Sequence, residues 1–240
     1  MSFSSLNDIE AAAFERDGYI VVRNMVPAQR FGELRTIATD HLSQLIAPIE
    51  FEVDVGYPGA PVDVSSPGAD TLRRLLQAFA RDEAFRLWAL DPEVKRILAC
   101  LLQTEEDLSV SQCHHTCIMT KAPGFSSVTL WHQDSRYWAF DYENLVSVWL
   151  ALGKEDKTNG CLRVIPGSHK LEPDSGRFDA AMFLRPDLSE NKSLIEQAIT
   201  VELNPGDVLF FHSRLFHAAG RNLSEETKLS VVFTYHQASN

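Results

Sequence analysis

Leu130-Trp131-His132-Gln133-Asp134 is the stretch on which the reading of this chain turns, with His217 far downstream as its partner. The preceding Val128-Thr129-Leu130-Trp131 is apolar and β-branched, so it reads as a strand, in which side chains i and i+2 project to the same side. His132 at the strand's end and Asp134 just beyond it can therefore converge on one ion. A third ligand from His217 completes two imidazoles and one carboxylate on one face of an octahedron, leaving the other face open. That set suits non-haem iron(II). An isolated H-x-D is more often a surface histidine beside a surface acid. Here an apolar strand leads in, and a loop with Arg136, Tyr137, Trp138 and Phe140 leads out.

The rest of the chain bounds the reading. Its 240 residues, 45% hydrophobic and 23% charged, suit one domain, with residues 1–107 as mainly helical support and 108–240 as a β core. A net charge of −11 argues against a nucleic-acid partner, which calls for a basic face. No apolar run reaches the ~20 residues of a membrane span, and the N-terminus shows no signal-like pattern. The expected location is the cytoplasm and the expected partner a small-molecule substrate; the sequence is silent on oligomeric state. Cys100, Cys113, Cys117 and Cys161 form no disulfide framework. Cys113-His114-His115-Thr116-Cys117 tempts as a metal cluster, but in a strand His114 would point away from its neighbours. The segment is expected to be a strand with small buried thiols.

In chain order, a helix is expected over 5–14, with Asn7 as N-cap, Glu10 as its reciprocal acid and Gly18 as the stop. Tyr19-Ile-Val-Val-Arg23 is β-rich. Pro27 opens a second helix with Phe31, Leu34, Ile37, Ala38, His41, Leu42 and Leu45 at helical spacing. Residues 48–69 read as a loop or lid, and Thr71 to Leu102 as helical, broken at Asp91-Pro92. Beyond 108, eight strands are expected: 110–120, 127–131, 145–152, 161–165, 199–203, 208–212, 215–218 and 228–236. Turn signals at Asn159-Gly160, Pro166-Gly167-Ser168 and Pro205-Gly206-Asp207 separate several of them. Residues 170–198 form an insertion at the rim. Eight strands in so short a span favour a mainly β jelly roll or double-stranded β-helix, cupin-like, with the N-terminal helices packed outside.

Several longer signatures join the first one. They are Phe14-Glu-Arg-Asp-Gly-Tyr-Ile-Val-Val-Arg23, Trp131-His-Gln-Asp134, Val148-Trp-Leu-Ala-Leu152 and Asn159-Gly-Cys-Leu-Arg-Val-Ile-Pro-Gly-Ser-His-Lys170. Gly206-Asp-Val-Leu-Phe-Phe-His212 and His217-Ala-Ala-Gly-Arg-Asn222 follow. From about residue 7 to 236 the chain resembles the phytanoyl-CoA dioxygenase family of iron(II)/2-oxoglutarate oxygenases. The resemblance implies a double-stranded β-helix, iron(II) held by His132, Asp134 and His217, and oxidative decarboxylation of 2-oxoglutarate to succinate with O2. His212 competes for the third place by proximity, but His217 leads the His-x-x-Gly-x-Asn match. Trp149 and Cys117 match positions that line the co-substrate pocket, with plain strand packing as the other account of each. Arg136, Tyr137 and Trp138 follow the metal loop and are candidate substrate contacts. Against that, Trp138 would serve as barrel core and Arg136 as a solvated rim charge.

Two positions depart from the family. Its arginine, eleven residues past the distal histidine, is here Lys228, and the hydroxyl residue two past that histidine is Ala219. Lys228 is expected to point inward and to meet the far carboxylate of 2-oxoglutarate with a point charge where arginine offers a fork; the other account is a solvated charge following the Glu225-Glu226 turn. Arg163 and Arg221 are the other cations to consider. Asp134 stands where halogenating relatives need a small residue, so the family reading is a hydroxylase. A catalytically retired small-molecule binder, or a cupin-like metalloenzyme without 2-oxoglutarate, is the alternative.

Overall fold

The computed structural model describes residues 8–240; the proposed cap at Asn7 lies outside them. Helix α1 runs Asp8–Asp17 and stops at Gly18, whose φ of +80° lies in the left-handed region and whose N–H bonds the Phe14 carbonyl. Strand β1 (Tyr19–Val22) and helix α2 (Ala28–Ser43) follow. Strands β2 (Ile49–Phe51) and β3 (Leu72–Leu76) flank an irregular loop, and helices α3 (Ala78–Arg81), α4 (Glu83–Ala89) and α5 (Pro92–Leu101) complete the first part. Asp91 caps α5 by accepting from Glu93 N at 2.8 Å, with Pro92 in its first turn, as the Asp91-Pro92 pair implied.

The second part supplies β4 (Leu108–Val110), β5 (Thr116–Lys121), β6 (Thr129–His132), β7 (Val146–Ala151) and β8 (Leu162–Val164). After helix α6 (Ser189–Ile195) come β9 (Ile199–Thr200), β10 (Val208–His212), β11 (His217–Ala219) and β12 (Lys228–Gln237). The large sheet runs β1-β10-β7-β12-β5-β3-β2, with β4 also on β12, and the small one runs β6-β11-β8-β9. Every pairing is antiparallel. This is the double-stranded β-helix.

Three expectations need correction. Leu72–Leu76 is a strand inside the stretch read as helical, and β2 lies inside the stretch read as loop. The 110–120 run is two strands, β4 and β5, because the chain turns through His114, whose φ is +60°. Cys113 is accordingly exposed, while Cys117 is buried as foreseen.

The large sheet is covered on both faces, which is why β7 is buried at all six positions and shows no polar alternation. Val146, Val148 and Leu150 pack outward with Leu34, Phe85, Trp88 and Leu98 of the helices. Trp149 and Ala151 pack inward with Leu162 and Val164 of the small sheet. No helix among the described residues is long and apolar enough to cross a membrane.

The turn entering β10 ties β1 to this frame. Asp207, 1% exposed, accepts from Asn24 N at 2.8 Å and from Arg23 at 2.7 Å. Gly206 has a φ of +86°, and a Cβ there would lie 2.5 Å from the Val26 carbonyl oxygen. Gly206→Ala is therefore expected to destabilise the fold by about 2 kcal/mol or more, from left-handed strain plus a backbone clash. Urea unfolding measures this; a loss below about 0.5 kcal/mol would contradict the account.

Candidate metal centre and cavity

His132 ends β6 and His217 opens β11, and the antiparallel register sets them opposite each other. Opposed residues present side chains on the same face, and the two imidazole centroids lie 4.3 Å apart. A 3-10 turn, Asp134–Tyr137, follows β6 directly and carries Asp134 back between them. Asp134 Oδ1 lies 3.5 Å from His132 Nε2 and 3.4 Å from His217 Nε2. One ligand atom from each residue falls within 4.8 Å of the others, and all three residues are buried.

The hydrogen bonds around the trio set its chemistry. His132 Nδ1 donates to the Leu130 carbonyl at 2.8 Å and His217 Nδ1 to the Leu215 carbonyl at 3.0 Å. Each bond leaves Nε2 as the nitrogen facing the centre; burial lowers His217, but Asp134 outweighs it and holds the imidazole above its ordinary range. Asp134 Oδ2 is held by His115 Nδ1 at 3.2 Å and Ser147 Oγ at 3.5 Å, whereas buried Oδ1 has no hydrogen-bond partner among the described residues. Burial opposes ionisation of Asp134, but His115 and His217 outweigh it and hold the carboxyl well below its ordinary range. Burial, with His217 nearby, pushes His132 down to about 4, so its imidazole is neutral. A carboxylate oxygen facing two imidazole Nε2 atoms fits a divalent transition metal with three protein ligands, which would displace the proton that Asp134 favours on His217. His212 is elsewhere: its Nδ1 accepts from Arg214 N at 3.0 Å and its ring faces His169.

Both histidines of the trio line a cavity of about 290 Å³ between the sheets. Trp149 and Lys228 line it too, as does Ala219. Cys117 does not. Its thiol packs against Met119 Sδ at 3.6 Å, and burial pushes it up to about 11. Lys228 points inward, but it already has an anion that the sequence reading lacked. Its Nζ is 3.1 Å from Oε2 of the buried Glu155 and 3.3 Å from Ser230 Oγ. Glu155 Oε1 also accepts from Trp149 Nε1 at 3.0 Å and Ser230 Oγ at 2.6 Å. Three further cations, Arg73, Arg74 and Lys121, line the same cavity and were not foreseen. Arg163 is exposed and lies over the Trp131 ring, and Arg221 donates to the Gly124 and Ser126 carbonyls. Neither reaches the cavity.

Of the three residues after the metal loop, Tyr137 alone lines this cavity. His114 stacks on it with ring centroids 3.5 Å apart and lines the wall beside it, and Tyr57, within hydrogen-bonding reach of Tyr137, lines the cavity as well. Trp138 donates to the Cys113 carbonyl at 3.3 Å, and Arg136 lies over the Phe183 ring at 4.1 Å, beside a separate surface hollow. His114 escaped the sequence reading because a strand would have turned it outward.

The family model for phytanoyl-CoA dioxygenase (PhyH) matches residues 14–230. The chain is 26% identical over 230 residues to the probable phytanoyl-CoA dioxygenase of Caenorhabditis elegans, covering 92% of this chain and 72% of that one. It is 28% identical over 234 residues to the human peroxisomal phytanoyl-CoA dioxygenase, covering 91% of this chain but 64% of the relative. In three dimensions it superposes on EctD from Sphingopyxis alaskensis, solved with 2-oxoglutarate and 5-hydroxyectoine, with a TM-score of 0.79. That match has 22% identity and covers 100% of this chain and 79% of the other. With a matched family model spanning nearly the whole length and a buried trio of two histidines and one aspartate, this chain belongs to the phytanoyl-CoA dioxygenase family of iron(II)- and 2-oxoglutarate-dependent dioxygenases.

Proposed function

We propose that this chain hydroxylates a small organic molecule, with His132, Asp134 and His217 holding iron(II) and 2-oxoglutarate seated in the adjoining cavity. The observation that carries the reading is a buried two-histidine, one-carboxylate trio whose histidines line a cavity that Lys121 and Lys228 also line. When bound, iron(II) and 2-oxoglutarate together supply oxygen activation coupled to release of succinate and CO2.

The chain's own residues do the rest. The Leu130 and Leu215 carbonyls fix the imidazole tautomers, and His115 with Ser147 fixes Asp134 so that Oδ1 faces the centre. Trp149 forms a flat wall for the co-substrate, and Lys121 beside the Lys228–Glu155 pair gives its end a positive character. His114, Tyr137 and Tyr57 frame the other side, where a substrate enters, and their aromatic faces favour a partly apolar molecule. Four free thiols support a reducing compartment, the cytoplasm.

The decisive experiment is anaerobic addition of iron(II) and 2-oxoglutarate to the purified protein. A visible charge-transfer band is expected, with succinate formed once oxygen and a competent substrate are supplied; absence of the band would end this reading. His132→Ala, Asp134→Ala and His217→Ala are each expected to abolish iron(II) binding, because two ligands do not hold a facial site. His212→Ala should bind iron nearly as wild type does. Metal loss in His212→Ala with retention in His217→Ala would overturn the choice of distal ligand. With Asp134 in place, product analysis at high chloride should show hydroxylation only, and a chlorinated product would refute the role given to that carboxylate.

A further inference from the structure

Four cations line the cavity, and three carboxylates stand against them. Arg74 pairs with Glu50 through both its Nε and Nη2, and Arg73 lies 3.3 Å from Glu50 and 3.5 Å from Glu52. Lys228 pairs with Glu155. Lys121 is left over. Its ammonium donates to the Ser127 carbonyl at 2.7 Å, and among the described residues it forms no ion pair. It is 7% exposed and is the cross-strand partner of Lys228 in the β5–β12 register.

We propose that Lys121 of β5, rather than Lys228 of β12, supplies the charge that anchors the far carboxylate of 2-oxoglutarate, Lys228 and Glu155 forming a neutral, pre-paired wall beside it. The inference rests on the co-substrate reading above and deepens it. Its physical basis is a buried ammonium that, among the described residues, no carboxylate contacts directly. A buried ammonium beside a second ammonium is disfavoured until an anion joins it, whereas one already bonded to a buried carboxylate gains less from a second. The register puts both lysines on the same wall, and one far carboxylate equals the one positive charge left unmatched. Room for the Lys121 stem is kept by Gly160, where a Cβ would come within 3.0 Å of Lys121 Cδ.

The groups facing Lys121 are Lys228 from β12, Arg73 from β3 and Glu52 from the turn after β2, with the Ser127 carbonyl at its tip. Burial first, then the two cations, bring Lys121 down to about 7 against the pull of Glu52. An anion bound to the charged form raises that value. Affinity is therefore constant below about pH 7 and falls as the pH rises above it, because a proton must then be taken up on binding.

The test is anaerobic titration of the iron(II) protein with 2-oxoglutarate and with 2-oxopentanoate, which keeps the chelating end and lacks the far carboxylate, followed by the charge-transfer band. Lys121→Met should weaken 2-oxoglutarate by about 30-fold or more while leaving 2-oxopentanoate within a few-fold. It should also flatten the pH dependence between 6.5 and 8.5 and leave the melting temperature of the metal-free protein unchanged or higher. Lys121→Arg should restore most of the discrimination. Lys228→Met alone strands a buried carboxylate and endangers folding, so Lys228→Met/Glu155→Gln is the comparison, with an effect at least tenfold smaller than that of Lys121→Met. Full discrimination retained in Lys121→Met, or lost in the double variant instead, overturns the proposal while the co-substrate reading stands. A wild-type protein that shows no band with 2-oxoglutarate overturns both.

Discussion

A fully buried carboxylate with one oxygen tied and the other free is the constraint on which this structure depends. Asp134 is 0% exposed, and leaving such a charge without compensation costs several kcal/mol. The fold meets that cost from three elements. β6 and β11 bring two imidazoles within 3.5 Å of Oδ1, and the segment before β5 brings His115 to Oδ2. None of these groups is adjacent to all the others in sequence. They meet because the small sheet pairs His132 with His217 in register, and a slip of one residue would turn His217 to the opposite face. The barrel is the device that brings a carboxylate, two imidazoles and the supporting His115 together.

Much of this was legible in the sequence, and the legible parts share a cause. His132 and Asp134 are two apart, Asp91-Pro92 is a cap with its proline, and Pro205-Gly206-Asp207 is a turn, so each feature is local. β3 was missed because Leu72-Arg-Arg-Leu-Leu76 carries arginines where a strand between partners would carry apolar residues. Arg73 is nonetheless 6% exposed, since Glu50 and Glu52 from the neighbouring segment neutralise it. Glu155 was invisible for the same reason. It sits just before a turn, where a glutamate is ordinarily solvated, and its burial depends on Lys228 and Ser230 across the barrel. Ion pairs between distant strands leave no periodic trace. His114 shows the complementary failure: the β pattern was right for Thr116–Lys121 and was extended through a residue with positive φ.

The same pairs explain how an acidic protein can host an anionic co-substrate. A net charge of −11 repels a dicarboxylate at a distance, but beyond about 8 Å that repulsion is screened at physiological ionic strength. Within the cavity the balance is reversed. Arg73, Arg74, Lys121 and Lys228 face it, Glu50 and Glu155 are already engaged, and apolar walls such as Trp149 and Leu162 keep solvent from weakening the attraction. A single unmatched ammonium there outweighs many surface carboxylates. Pairing three of the four cations internally serves stability as well, since four bare charges in a space of about 290 Å³ would repel each other in the empty protein. Leaving one unpaired keeps that repulsion small and reserves a single positive charge for the ligand.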